Sequence, residues 1–454
     1  MKYIGRYIIC GLLGRGGMGK VYKVELPSIG KIAAVKHLDP DPLVAKLMGW
    51  HKLSDLFISE ARTMAGLSHP NIVQIHDFDH YQGKPFYVME FYADNLGKII
   101  GESYQSETPS RQIVTDKALN YARQILKGLA CLHEAGIIHR DIKPFNMLID
   151  ANDILKICDF GLSKLRGETY AGPANLNVGS PYYAAPEQER QPDKVAPNAD
   201  LYSVGVLLYR MLTGKLPDNR AGEKKYHPVK MYNANLDDAW DDFLTKAIDE
   251  EPQKRYSSSM QMLIALDQLS EHWQTVKEKL CHYMEPPPPK AHQDSVTNST
   301  LRCTAIKSAP KEAMQTFHLD WLWRPLTYTR NDYHSVSEHT ILDRSTNLVW
   351  QRTGSNAPCN WYQAQKYILQ LNEAYYDGHH TWRLPTIDEL ISILAPPGQG
   401  DEFCIEPIFS AEQKRLWSID RRSFVAAYYM DAQLGFIGWQ DMSAPYYVRA
   451  VCPT

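Results

Sequence analysis

The 454-residue chain contains no run of 18 or more apolar residues, and no charged-then-apolar leader precedes its first strand-like residues. A membrane span and a secretory signal are therefore not expected. None of the eight cysteines pairs with another at Cys-x-x-Cys spacing, which makes a reducing cytoplasm the expected setting. Neither sign of charge dominates: 49 basic against 52 acidic side chains leave a net charge of -3. That balance gives no strong field for nucleic acid or an anionic membrane, and neither is expected as a partner. No internal repeat is visible. What the chain does have is length for two or three domains and 44% hydrophobic residues to fill their cores.

The densest chemistry lies in His139-Arg140-Asp141-Ile142-Lys143-Pro144-Phe145-Asn146, followed by Asp159-Phe160-Gly161. Phosphoryl transfer asks a protein for a carboxylate beside the attacking hydroxyl and for oxygen ligands to magnesium, all fixed against the phosphates. The first segment offers a carboxylate, an ammonium and an amide within a few residues. The second offers another carboxylate at a turn. Either triplet alone is weak; the ordered pair resembles the catalytic and metal loops of eukaryotic-type protein kinases.

The rest of that family's signature follows in order. Gly14-Arg15-Gly16-Gly17-Met18-Gly19-Lys20-Val21 lies between strand-like Tyr7-Ile8-Ile9 and Val21-Tyr22-Lys23-Val24, so a glycine hairpin over phosphates is expected. Ala34-Val35-Lys36 resembles the strand lysine that holds the α- and β-phosphates. Apolar positions predict a helix over Leu53–Leu67, and Glu60 on it is the expected ion-pair partner of Lys36. Tyr87-Val88-Met89-Glu90-Phe91-Tyr92 resembles the strand and hinge beside adenine, with Met89 as gatekeeper. The resemblance implies an ATP site formed by Leu13, Gly14, Gly16, Gly19, Val21, Ala34, Lys36, Met89, Glu90, Tyr92 and Leu148. It implies Asp141 as base, Lys143 neutralising the transferring phosphate, and Asn146 and Asp159 as Mg2+ ligands. Lys143, two residues after Asp141, points to the Ser/Thr class.

Gly179-Ser180-Pro181-Tyr182-Tyr183-Ala184-Ala185-Pro186-Glu187 resembles the end of a kinase activation segment, with Ser180 serving Ser/Thr substrates. Glu187 is expected to pair with Arg255, and Asp200 to brace the catalytic loop. Ser163, Thr169 and Tyr170 are possible phosphosites, although nothing local marks one of them. The resemblance covers residues 1–270, an N-lobe over 1–92 and a C-lobe over 93–270, and no catalytic position departs from the pattern. Ala184-Ala185 and Phe145 are variations that remove no group the chemistry needs.

Helical sequence continues to about Tyr283 and meets Glu285-Pro286-Pro287-Pro288-Pro289-Lys290, which favours an extended spacer. Residues 271–316 are therefore expected to be a helix end and a flexible linker. From Phe317 the composition changes, and seven of the ten tryptophans lie beyond it. Short strands surround two expected helices, Asn360–Leu371 and Ile387–Leu394, the second capped by Thr386. Asp343-Arg344-Ser345-Thr346-Asn347-Leu348-Val349-Trp350, Trp382-Arg383-Leu384-Pro385-Thr386, Leu416-Trp417-Ser418 and Tyr447-Val448-Arg449-Ala450-Val451 resemble, in that order, a bacterial domain family found at the C-terminus of collagen-like surface proteins. The resemblance spans residues 335–453 and implies a C-type-lectin-like fold.

The expected architecture is α+β: a bilobal kinase followed by a lectin-like domain over 317–454. Most of the late tryptophans are expected in its core, since aromatic side chains dominate core burial. Tyr428, Tyr429, Trp439, Tyr446 and the Arg421-Arg422 pair are the surface candidates, and loops from about Asp420 to Ala444 are the expected contact surface. Asp401-Glu402 and His379-His380 lack metal-ligand spacing. The expected function is an ATP- and Mg2+-dependent Ser/Thr protein kinase acting on protein substrates. Its C-terminal module binds an unknown ligand or protein. The alternative is a binding protein in which the kinase region is a scaffold.

Overall fold

The computed structural model describes residues 2–16, 19–102, 108–159, 182–191, 194–217, 227–283, 301–397 and 403–454. Ser163, Thr169, Tyr170, Ser180 and the Asp401-Glu402 pair lie outside the described residues. The chain divides into two compact units, Met1–Cys281 and His282–Thr454.

The first unit opens with strands β1 (Tyr3–Ile4), β2 (Tyr7–Arg15), β3 (Gly19–Leu26), β4 (Lys31–Leu38), β5 (Ile75–Tyr81) and β6 (Lys84–Met89), which form one antiparallel sheet in the order β1-β2-β3-β4-β6-β5. Two helices cross over between β4 and β5. Helix α1 (Pro42–Met48) starts at Pro42 behind the N-cap Asp41, whose side chain accepts from Leu43 N–H. Helix α2 (Trp50–Ala65) turns Leu53, Phe57, Glu60, Ala61 and Met64 into the core, a spacing of three and four that keeps one face inside. The observed helix thus begins three residues before the predicted start at Leu53 and ends two before the predicted end at Leu67.

The remainder of this unit is mainly helical: α3 (Leu96–Ile100), α4 (Thr115–Glu134), α5 (Pro186–Arg190), α6 (Asn198–Thr213), α7 (Asp238–Ala247) and α8 (Ser259–Tyr283). A small sheet of β7 (Asp94–Asn95), β8 (Met147–Ile149) and β9 (Leu155–Ile157) carries the predicted catalytic and metal loops at its ends. Helix α6 is buried at every residue from Ala199 to Thr213. Its Arg210 is buried with Glu102, which also accepts the Tyr183 hydroxyl at 2.9 Å.

The second unit begins its described residues at 301, with helix α9 (Pro310–Thr316). Strands β10 (Tyr333–Ser335), β11 (Thr340–Asp343), β12 (Leu348–Gln351) and β16 (Val451–Pro453) form one antiparallel sheet. Strands β13 (Arg415–Arg421), β14 (Ala426–Asp431) and β15 (Phe436–Asp441) form another. Helices α10 (Trp361–Glu373) and α11 (Ile387–Ser392) both start with a capping box, at Asn360 and Thr386. The predicted helices match these within two residues. Trp350, Trp361, Trp382 and Trp417 are core, as expected of most late tryptophans.

Two expectations fail in this unit. Residues 301–316 are not linker. Arg302 forms a double hydrogen bond with the buried Asp420 carboxylate at 2.9 and 2.8 Å, Asp420 also accepts Ile306 N–H, and Ala313 lies in the apolar core. The stretch from Asp420 to Ala444 is not a set of loops but the end of β13 and all of β14 and β15. Tyr428, Tyr429 and Tyr446 are 0%, 4% and 2% exposed, so they pack inside rather than offer a contact surface. Trp439 and the Arg421-Arg422 pair are half-buried. The motif Trp382-Arg383-Leu384-Pro385-Thr386 is a clasp: Arg383 grips Glu389, which also accepts Thr386 N–H at 2.8 Å.

Candidate active site

The geometry starts at Asp200, fully buried on α6. Its carboxylate accepts His139 N–H at 2.9 Å and Arg140 N–H at 2.7 Å. Two charge-assisted bonds to consecutive backbone amides fix the loop that follows. Arg140 takes a positive φ of 62°, and its carbonyl accepts the Gln188 amide of α5 at 2.8 Å. The His139 ring is wholly buried, with Nε2 3.1 Å from Cys158 O and Nδ1 accepting Asp141 N–H at 3.1 Å. Burial holds this imidazole below its ordinary pKa, and the two partners fix the neutral Nε2–H tautomer.

Asp141 therefore projects from a braced loop. Lys143 Nζ lies 2.8 Å from Asp141 Oδ2, and Asn146 donates its amide to Asp141 O at 2.8 Å and Oδ2 at 3.1 Å. The sequence places a carboxylate, an ammonium and an amide near one another; the fold brings all three to one carboxylate oxygen. Asn146 spends its nitrogen there, and its oxygen has no hydrogen bond among the described residues.

From the opposite side comes Lys36 on β4. Its ammonium is 2.8 Å from Glu60 Oε1 on α2 and 2.9 Å from Asp159 Oδ1. Burial alone would lower its pKa, but the Asp159 and Glu60 carboxylates outweigh it and hold it well above the ordinary lysine value. Asp159 is opposed by burial and favoured by Lys36; the net direction is downward, so it is ionised at neutral pH. Its φ of 60° is a left-handed conformation that a non-glycine residue adopts at a cost of about 1–3 kcal/mol. Tyr87, to which the strand-and-hinge motif assigns no role of its own, donates its hydroxyl to Glu60 Oε1 at 3.0 Å.

The glycine hairpin closes tightly, with Gly16 N–H on Gly19 O at 2.9 Å. A Cβ at Gly19 would lie 2.2 Å from His37 O, so this glycine is required by the fold. A Cβ at Gly14 or Gly16 would meet nothing within 4 Å, so packing within the chain gives no reason for either glycine. Close approach of a ligand would give one. Val21 pairs with both Gly14 and Lys36, and Ala34 with Met89, which gathers them on neighbouring strands. Leu148 is half-buried on β8, and Leu13 on β2 is exposed. In the segment after Met89, Glu90 Oε2 accepts Tyr92 hydroxyl at 2.5 Å and Lys156 Nζ at 2.9 Å. Lys156, on β9, has no signature in the sequence.

Farther out, Glu187 forms a double hydrogen bond with Arg255 at 2.6 and 2.8 Å, as predicted. Asp159 and Asn146 are hard oxygen donors of the kind Mg2+ prefers, and two protein ligands suit an ion that keeps waters and phosphates as its other partners. Residues 7–272 match the family model for the protein kinase domain. The chain belongs to the protein kinase family.

Among bacterial relatives it is 34% identical over 221 residues to the probable serine/threonine-protein kinase PknB of Lactococcus lactis, covering 47% of this chain and 32% of that one. It is 34% identical over 288 residues to serine/threonine-protein kinase Pkn1 of Myxococcus xanthus, covering 59% and 39%. PrkC of Bacillus subtilis is 30% identical over 267 residues, covering 57% and 39%. The chain thus spans about two fifths or less of the length of these relatives. The crystal structure of the PknI kinase domain of Mycobacterium tuberculosis is similar at 21% identity and a TM-score of 0.44, covering 59% of this chain and 97% of that one. Residues 339–452 match the Lcl C-terminal domain, close to the span predicted for the second family.

Proposed function

We propose that this protein is a Ser/Thr protein kinase that transfers the γ-phosphate of ATP to protein hydroxyls, with its C-terminal unit serving as a binding module. The observation that carries the reading is the convergence of Lys36, Glu60 and Asp159 on one side and Asp141, Lys143 and Asn146 on the other, at ion-pair and hydrogen-bond distances. In this reading Lys36, oriented by Glu60, holds the α- and β-phosphates. The backbone at Gly14 and Gly16 covers them, and Met89 to Tyr92 line the adenine side. Asn146 and Asp159 hold Mg2+, which when bound neutralises charge on the phosphates. Asp141 accepts the proton of the incoming hydroxyl, and Lys143 offsets charge on the phosphoryl group in transit.

No helix among the described residues is long and apolar enough to cross a membrane. No disulfide joins Cys10, Cys131, Cys158, Cys303, Cys359, Cys404 or Cys452 to another of them, which fits work in a reducing cytoplasm. The C-terminal unit either tethers substrate at raised effective concentration or docks and holds the kinase off. Deleting residues 301–454 separates these: tethering leaves a generic peptide unaffected, and docked inhibition raises its rate. Incubation with Mg-ATP and a generic Ser/Thr peptide tests the central claim. Phosphate transfer that disappears in Asp159→Asn is expected. A folded wild-type protein that neither binds Mg-ATP nor phosphorylates itself or the peptide would sink it.

A further inference from the structure

At the turn between β13 and β14 the second unit presents cations on aromatic rings. The Arg422 guanidinium lies 3.5 Å from the centre of the Trp439 ring, and Lys307 Nζ lies 4.5 Å from that of Phe424. Lys307 is held beside Arg421 by a strand-like bridge, with Arg421 N–H on Ile306 O at 2.9 Å and Ser308 N–H on Arg421 O at 3.1 Å. The turn is built, not frayed: Arg422 and Ser423 N–H both bond Ala426 O, at 2.9 and 3.1 Å. On this fixed frame Phe424 is 76% exposed and Val425 64%.

The charges are uncompensated. None of Lys307, Arg421 and Arg422 forms an ion pair with a carboxylate among the described residues. The acidic residues at the ends of these strands are already engaged: Asp420 is buried against Arg302, and Asp441 accepts Ser443 N–H at 2.9 Å. Net charge does not account for the patch, since the whole chain carries -3. Two neighbouring apolar side chains standing in water, rimmed by unpaired cations, have the chemistry of an interaction surface. Trp and Arg are also the residue types that dominate binding hot spots.

We propose that Lys307, Arg421, Arg422, Phe424, Val425 and Trp439 form the docking surface of the C-terminal unit. Its occupant is an acidic protein segment that carries an aromatic or large apolar residue. The carboxylates meet the three cations, and the apolar residue covers Phe424 and Val425. This rests on reading the unit as a binding module and names its partner class.

The test uses the full chain and a fluorescein-labelled peptide of Asp and Glu around one Trp. The control peptide has every acid replaced by its amide. Anisotropy should give binding about tenfold or more tighter for the acidic peptide, weakening as salt rises from about 50 to about 300 mM. The double variant Arg421→Glu, Arg422→Glu and the single variant Phe424→Ser should each lose about tenfold or more. Both alter surface side chains, so an unchanged thermal unfolding curve checks that they fold. Equal binding of the two peptides, or unchanged binding by both variants, overturns the proposal. So does a preference for duplex DNA or anionic vesicles over the acidic peptide. Wild type assayed on a Ser/Thr acceptor peptide without acidic residues keeps the two claims apart: no phosphorylation there sinks the kinase reading, whereas phosphorylation there with no preference for the acidic labelled peptide sinks this surface alone.

Discussion

Lys36 Nζ lies 2.9 Å from Asp159 Oδ1, so the strand lysine and the candidate metal carboxylate are already joined across the cleft. The same ammonium compensates Glu60, whose side chain is fully buried and whose second oxygen has no hydrogen-bond partner among the described residues. One cation thus serves two carboxylates from different elements. Lys36→Met should remove phosphate transfer. It should also destabilise the first unit by about 3–5 kcal/mol, because a buried carboxylate would lose its one cation among the described residues. Denaturant titration alongside the transfer assay reads both. An inactive variant of unchanged stability would mean that Glu60 relaxes into water.

Asp141 and Asp200 should behave differently. Asp141→Ala should cost at least about 3 kcal/mol of barrier, about a hundredfold in rate, with the unfolding curve little changed. Asp200→Ala would strip two backbone amides of their acceptor, so it should lower both activity and stability. Measuring Tm beside rate separates them. Equal stability loss in both would remove the distinction between chemical and bracing roles.

The hinge offers a third test. Burial raises the Glu90 pKa, but the Tyr92 hydroxyl and the Lys156 ammonium outweigh it and hold the carboxyl below its usual range. Lys156 belongs to β9, so this contact ties the segment after β6 to the small sheet under the catalytic loop. Lys156→Met should raise KM for ATP by about threefold to tenfold with kcat less affected, and Lys156→Arg should restore it. A fall in kcat with unchanged KM would place the role of the contact elsewhere.

The catalytic residues were legible because their chemistry is written in contiguous motifs. Their long-range partners were not: Tyr87, Lys156 and the Glu102–Arg210 pair are ordinary residues until the fold brings them together. Helix α1, 7 residues long, is too short for a periodic apolar pattern to mark it, although Asp41-Pro42 carries a start signal. The late tyrosines misled for a definite reason. All six residues of β14 are buried, so that strand is covered on both faces and its aromatics have no outward side. Tyr429 even lies over Gly438, where a Cβ would come within 2.5 Å of its ring. Residues 301–316 read as linker because hydropathy cannot see that the polar Arg302 is answered by a buried carboxylate.

Stability should depend on pH through His139. Burial depresses its folded pKa below the ordinary value near 6.5, so below that value the unfolded chain binds a proton that the native ring refuses. The contribution is complete above about pH 6.5 and is lost as pH falls, by at most about 1.4 kcal/mol per pH unit. Denaturant midpoints between about pH 5 and about pH 8 should show this slope, and His139→Gln should flatten it. An unchanged slope in the variant would assign the effect to His37 or His69, which burial also depresses.

The boundary of the second unit gives the last prediction. Asp420 is wholly buried and depends on Arg302 for its cation, while Ile306 and Ile387 N–H take its remaining lone pairs. Leu301, Ile306 and Ala313 add apolar contacts from the same segment. A fragment of residues 301–454 should therefore fold, whereas one starting at 317 should be weakened by about 3–5 kcal/mol from the orphaned carboxylate alone, before lost apolar burial is counted. Within the full chain, Arg302→Ala should lower the unfolding transition of the second unit and leave that of the first in place. Hydrogen exchange should find the amides of Ile306 and Ser308 protected to a similar degree as β13, since they bond into it. Fast exchange there, or equal stability of the two fragments, would return residues 301–316 to the linker.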